Sequence, residues 1–254
     1  MELGAADLSC LGTPANDPAT TVAVTLNAEL KDFQSGNPVT PGTVVAFKGN
    51  DASMIFDTKT VDGNGNVTFT VPVGVQRFGY KMTGDFMPTF LLNQTVKPDV
   101  AVQPTCGSPP CKAKIQSVSN STAAVLPALI GDTRTPGTGV IAGALRDCMG
   151  HEVSNYIATV SSAKGTATPL MGASAYYFSA SVGLPVHHSQ QESASGDGLF
   201  MAIQLPATAT AYVQMWGYKT DSDMAADQLS LIAELQVPVL ADTVITGSYE
   251  PLRQ

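Results

Sequence analysis

The chain has 254 residues, 44% of them hydrophobic and only 13% charged, and its 13 basic and 21 acidic side chains give a net charge of −8. Soluble proteins carry about a quarter charged residues, so Ser, Thr, Gly and Pro must supply much of this surface, a mixture that favours short strands and many turns. No Lys/Arg cluster occurs, which leaves no phosphate-binding footprint and excludes nucleic acid as a partner, and no run of about 18 apolar residues exists to span a membrane.

The opening Met1-Glu2-Leu3-Gly4-Ala5-Ala6-Asp7 lacks the basic start and apolar centre of a signal peptide. The expectation is that an export signal upstream of Met1, with any lipid anchor, has been removed. Residues 1–20 read as an irregular arm with Pro14 and Pro18. A first domain follows over 21–98, with predicted strands at Thr21–Leu26, Val44–Phe47, Thr58–Val61, Val67–Val71, Phe78–Met82 and Met87–Val96, separated by Gly- or Pro-bearing turns. Such spacing indicates an antiparallel sandwich or barrel.

Residues 99–138 read as a linker. Within it Ser121 to Ile130 predicts one short helix, capped by Ser121 or Thr122, stopped before Gly131 and shortened by Pro127. A second domain runs over 139–254. It carries an inserted loop at about 164–192 that holds Tyr176, Tyr177 and Phe178 with His187 and His188, and loops on rigid sandwiches are where binding surfaces form. Asp221 to Ala226 reads as a loop, and Gln228–Val239 and Asp242–Tyr249 as closing strands.

The two domains are divergent copies of one pattern. Leu26 to Asp32, a turn at Gly36 and Val44 to Phe47 reappear as Ile141 to Asp147, a turn at Gly150 and Ile157 to Val160. Asp62-Gly63-Asn64-Gly65 before Val67 to Pro72 likewise matches Ser195-Gly196-Asp197-Gly198 before Leu199 to Pro206.

Four cysteines bear on compartment. Cys106 and Cys111 flank Gly107-Ser108-Pro109-Pro110, a turn that brings two sulfurs within bonding reach, and the competing zinc half-site lacks zinc-finger spacing. Cys10 and Cys148 then pair by default and tie the arm to the second domain, although three connectivities remain formally open. Disulfides imply an extracytoplasmic address, whether secreted, periplasmic or surface-tethered.

Candidate chemistry is sparse, and no cofactor is implied. His151, His187, His188 and Asp197 form one conceivable metal or metalloenzyme site, against the reading of solvated loop histidines. Asp62 and Asn64 alternate as calcium loops do, yet a bidentate Glu is missing and Asn/Gly pairs also serve tight hairpins. Tyr212, Trp216 and Tyr218 share one face of a strand, as a sugar- or protein-binding row or as core. Sequons at Asn66, Asn93 and Asn120 are accounted for by chance in a Ser/Thr-rich chain.

Ser35-Gly36-Asn37-Pro38-Val39, its degenerate counterpart Met149 to Val153 and the two Asp-Gly turns resemble the signature turns of carboxypeptidase regulatory-like, transthyretin-related domains. Together with Leu8 to Gly12 and the linker helix, the chain is similar to exported tandem-domain lipoproteins of myxobacteria and related deltaproteobacteria. The resemblance implies an all-β protein of two antiparallel Ig-like or transthyretin-like sandwiches in tandem, each of seven strands, and implies no catalytic residues. The functional expectation is a non-enzymatic surface module that binds a protein or glycan or associates with itself. A metal-dependent enzyme and a carbohydrate-binding protein are the alternatives.

Overall fold

The computed structural model describes residues 3, 5–15, 17–95, 113–187 and 189–254. It is nearly all β, and the chain divides into two compact units, Asn16–Ala123 and a second made of Met1–Ala15 with Ala124–Gln254.

Among its described residues the N-terminal unit contains seven strands: β1 (Val24–Asp32), β2 (Gly42–Lys48), β3 (Ile55–Thr60), β4 (Asn66–Val71), β5 (Arg77–Gly84), β6 (Phe86–Thr95) and β7 (Ala113–Ser119). One sheet has the order β6-β5-β2-β3; the other has β1 at its centre, antiparallel to β4 and parallel to β7. Period-2 patterning builds it: in β4, Val67, Phe69 and Val71 are buried while Thr68 and Thr70 face water. These side chains meet Leu30, Val44, Ala46, Met82 and Ile115 in one core, where the Phe69 and Tyr80 rings lie 5.3 Å apart.

The C-terminal unit holds β8 (Gly139–Leu145), β9 (Ile157–Ser161), β10 (Ser174–Phe178), β11 (Pro185–Val186), β12 (Leu199–Leu205), β13 (Thr208–Gly217), β14 (Ser230–Val239) and β15 (Val244–Tyr249). Its sheets run β11-β10-β12-β8-β15 and β14-β13-β9. Tyr156, Phe200 and Tyr249 pack edge to face in its interior, and Ile141, Leu145, Val213 and Met215 are fully buried in the same unit.

The repeat is a repeat of topology. β8 is antiparallel to β12 and parallel to β15, as β1 is to β4 and β7; β9, β13 and β14 pair as β2, β5 and β6 do. The turn glycines keep their roles. Gly65 (φ 78°) has no space for a Cβ, which would lie 2.7 Å from the Leu30 carbonyl oxygen, and Gly198 (φ 63°) likewise meets the Val153 carbonyl at 3.0 Å. One strand breaks the correspondence. β3 pairs with β2, whereas β10 pairs with β12 in the opposite sheet.

Several sequence expectations are corrected. The 99–138 linker contains β7, whose partner is β1, so Ala113–Ser119 is a strand of the first sandwich. The 164–192 loop is no insertion: β10 and β11 lie inside it as integral strands. The first strand starts at Val24 and runs on to Asp32, because Ala28 and Leu30 continue the buried face. The helix α1 spans Asn120–Leu129 and its cap is Ser119, whose Oγ accepts from the Thr122 N–H at 3.1 Å. Asp221–Ala225 is a short helix, α2, capped by Thr220, which the polar composition disguised as loop.

Candidate functional site

The residues singled out by sequence are dispersed. Cys10 and Cys148 form a disulfide with Cα atoms 5.7 Å apart, pinning the arm inside the C-terminal unit; Cys106 and Cys111 lie outside the described residues. His151 is exposed, with Nδ1 3.5 Å from Asp147 Oδ2, and the His187 ring meets Ser189 Oγ at 3.0 Å. His188 lies outside the described residues. Asp197 accepts from Ser195 Oγ at 2.8 Å and from the Leu199 N–H at 3.1 Å, closing its own turn. Among the described residues no three His, Cys, Asp or Glu side chains converge as metal ligands.

Asp62 Oδ1 accepts from the Asn64 and Asn66 backbone N–H groups, both at 2.8 Å, and its Oδ2 from Asn66 Nδ2 at 3.0 Å, so both oxygens are turned onto the hairpin itself. Asn64 is exposed. The aromatic row is split as well. Trp216 and Tyr212 are half-buried on the outer face of β13, where Trp216 Nε1 donates to Thr159 Oγ1 at 3.0 Å. Tyr218 lies past the strand end and its hydroxyl donates to Asp227 at 2.6 Å.

Tyr176, Tyr177 and Phe178 stand on β10, not on a loop. Phe178 and Tyr177 are buried and Tyr176 is half-buried. Tyr177 marks the feature that sequence reading missed. Because β10 has crossed to the other sheet, the outer edge of β9 is paired only at its end, where Ser161 bridges Pro169, and Tyr177 reaches across to accept from the Ala158 N–H at 2.9 Å. Burial pushes the Tyr177 hydroxyl up from its ordinary pKa, partly offset by that hydrogen bond, so it remains a neutral phenol. A half-open cleft of about 410 Å³ runs along this edge, lined by Ala158, Val160, Ala175, Tyr177, Ala202 and Glu192 among others.

The hydrogen bonds of this edge can be counted. Ala158 and Val160 point their peptide groups away from β13, since the Ala158 N–H serves Tyr177 and the Val160 carbonyl accepts from Leu170 N at 2.9 Å. That leaves the Ala158 carbonyl and the Val160 N–H facing outward without a protein partner among the described residues. The signal in sequence would have been a strand, Ser174 to Phe178, too far from β9 to form a hairpin with it.

No protein-family model matches the chain, and no curated protein does. Among solved structures the chain is similar to the shaft pilin SpaA of Lactobacillus rhamnosus GG, at 9% identity over 91% of this chain and 98% of that one, with a TM-score of 0.27. A single-substitution variant of that pilin aligns at 10% identity over 92% and 98% of the two chains, with a TM-score of 0.25. No helix among the described residues is long and apolar enough to cross a membrane.

Proposed function

We propose that this chain is a non-enzymatic, extracytoplasmic binding and structural module of the carboxypeptidase regulatory-like type, acting through association with a protein partner. The observation that carries the reading is the partly uncovered β9 edge with its half-open, mostly apolar cleft, a surface built for contact and not for proton transfer. Two features support it. The Cys10–Cys148 disulfide persists in oxidising compartments, and the carboxylates nearest to chemistry, Asp62, Asp147 and Asp197, are spent on holding turns. The seven strands among the described residues of the N-terminal unit are in keeping with the transthyretin-related pattern.

Light scattering over a concentration series, with calorimetric titration of peptides and oligosaccharides, tests the proposal. Saturable association with a peptide or a second copy is expected. Reproducible turnover of a substrate, abolished by one point change, overturns it.

A further inference from the structure

We infer that the β9 cleft is a receptor for an extended peptide segment of a partner protein, which adds to β9 as a parallel strand and is clipped there at the residue opposite Thr159. The inference rests on the binding reading above and names its partner class.

Three observations converge. The first is the molecule's own internal comparison. In the N-terminal unit the strand corresponding to β9 is β2, and its outer edge is covered by β3 from Thr43↔Thr60 to Phe47↔Ile55. In the C-terminal unit the corresponding strand β10 has left for the other sheet, and the chain after β9 bridges back only at its end, Ser161↔Pro169, so the stretch Ile157 to Thr159 of the same edge has no strand beside it. A strand seat is thus open over part of its length.

The second is the pattern of unpaired backbone groups. Along the exposed edge the order is Ala158 N–H, Ala158 C=O, Val160 N–H and Val160 C=O, and the outer two are taken by Tyr177 Oη and Leu170 N. An antiparallel strand needs all four groups, two per opposed residue. A parallel strand needs only the inner pair, because one of its residues donates its N–H to the Ala158 carbonyl and accepts from the Val160 N–H through its own carbonyl. The edge is therefore prepared for one parallel residue, and its shortness guards it against indiscriminate sheet growth.

The third is the chemistry of the walls. Residues flanking the clipped one point to the same side as Ala158 and Val160, towards Ala175, Tyr177 and Ala202, which suits small or β-branched apolar side chains. Glu192, exposed at the cleft and without a cationic partner among the described residues, places a negative charge where a Lys or Arg of the segment is favoured. The occupant is an extended, apolar-alternating segment bearing a basic residue.

The test uses the whole chain and a blocked peptide that alternates valine and threonine around a central alanine, with a lysine near one end. Amide exchange and chemical-shift mapping should show saturable binding and slowed exchange of the Val160 N–H. N-methylation of the clipped residue should weaken binding about tenfold. Glu192→Lys should weaken the lysine peptide and favour its glutamate counterpart, a reversal that misfolding does not produce. Ala175→Leu, with an unchanged melting temperature, should block the cleft. Binding that leaves Val160 unprotected, or an antiparallel register by isotope-edited distances, overturns the inference. So does a protein that ignores the peptide yet self-associates or binds another partner, an outcome that leaves the broader binding proposal standing. Failure of all association, accompanied by catalysis, removes both.

Discussion

Asp32 and Asp147 stand at matching points of the two sandwiches, each a buried carboxylate, 5% and 7% exposed, Asp32 as the last residue of β1 and Asp147 two residues beyond β8. Each closes the turn that follows: Asp32 Oδ2 accepts from Ser35 N at 2.9 Å, and Asp147 Oδ1 from His151 N at 2.9 Å. Each also spends its other oxygen on a distant segment. Asp32 Oδ1 holds the Ser119 N–H at 2.8 Å, and Asp147 Oδ2 holds the Asp7 N–H at 3.1 Å. The duplication preserved a staple and changed what it fastens.

Acid should therefore loosen both units. Burial pushes each carboxyl up, but hydrogen bonds from Ser35 and Ser119 to Asp32, and from His151, Asp7 and Met149 to Asp147, more than offset it, so both titrate below the ordinary carboxylate range. A depressed folded pKa gives stabilisation that is complete above the unfolded value of about 4 and is lost as pH falls through the folded one. Asp147→Asn is expected to cost about 1–3 kcal/mol at neutral pH and to flatten the acid limb of the stability curve. Urea denaturation at a series of pH values measures it, and an unchanged acid slope in the variant refutes the assignment.

Reduction of Cys10–Cys148 should release the arm. The bridge spans a sequence separation of 138, and closing so long a loop removes about 4–5 kcal/mol of unfolded-state entropy in the chain-entropy model. In the folded unit the arm has other bonds, including Leu3 N to the Tyr218 carbonyl at 3.1 Å and Gly12 N to the Leu252 carbonyl at 2.8 Å. Cys10→Ser with Cys148→Ser is accordingly expected to lower the melting temperature by many degrees while the sheets persist. Calorimetry with far-ultraviolet circular dichroism decides; a melting temperature insensitive to reductant contradicts it.

The part of this architecture that was legible in sequence was the part written in turns. Asp-Gly and Asn-Gly pairs announce hairpins because few other residues accept their backbone angles, and the doubled pattern from Leu26 and from Ile141 marked two copies. β7 was hidden for a packing reason: its inward positions are Ile115 and Ser117, both fully buried, and a buried serine interrupts the apolar alternation that signals a strand. β10 was visible as aromatics but not as part of the fold, since strand choice between two sheets depends on tertiary competition and leaves no local period. The β9 cleft follows from that choice, so its residues, small and apolar, carried no signal of their own.

The turn glycines offer a controlled comparison. Gly65→Ala and Gly198→Ala must hold a left-handed backbone and press a methyl against a carbonyl oxygen, whereas a Cβ at Gly63 or Gly196 meets nothing within 4 Å. The first pair should each destabilise by about 1–2 kcal/mol or more from backbone conformation alone. The second pair should be near neutral. Equilibrium unfolding of the four variants tests this, and equal losses at Gly63 and Gly65 would defeat the account.

Gln214 is fully buried on the outer face of β13, where a side chain would ordinarily meet water. Its Nε2 donates to the Ala163 carbonyl at 3.1 Å and to Glu234 Oε2 at 2.9 Å, while its Oε1 accepts from Thr159 Oγ1 at 3.2 Å. Glu234 Oε2 also accepts from Gly165 N at 2.6 Å, so one network folds the segment after β9 over the sheet. Trp216 reports on it, because its indole N–H ends on the same Thr159 hydroxyl. Gln214→Leu fills the volume but strands these partners, and the expected cost is about 1–3 kcal/mol. The single tryptophan should then shift its emission to longer wavelength as the covering segment loosens, with proteolysis near Lys164 becoming faster. Unaltered emission and cleavage would mean that packing alone, without the amide network, holds that segment down.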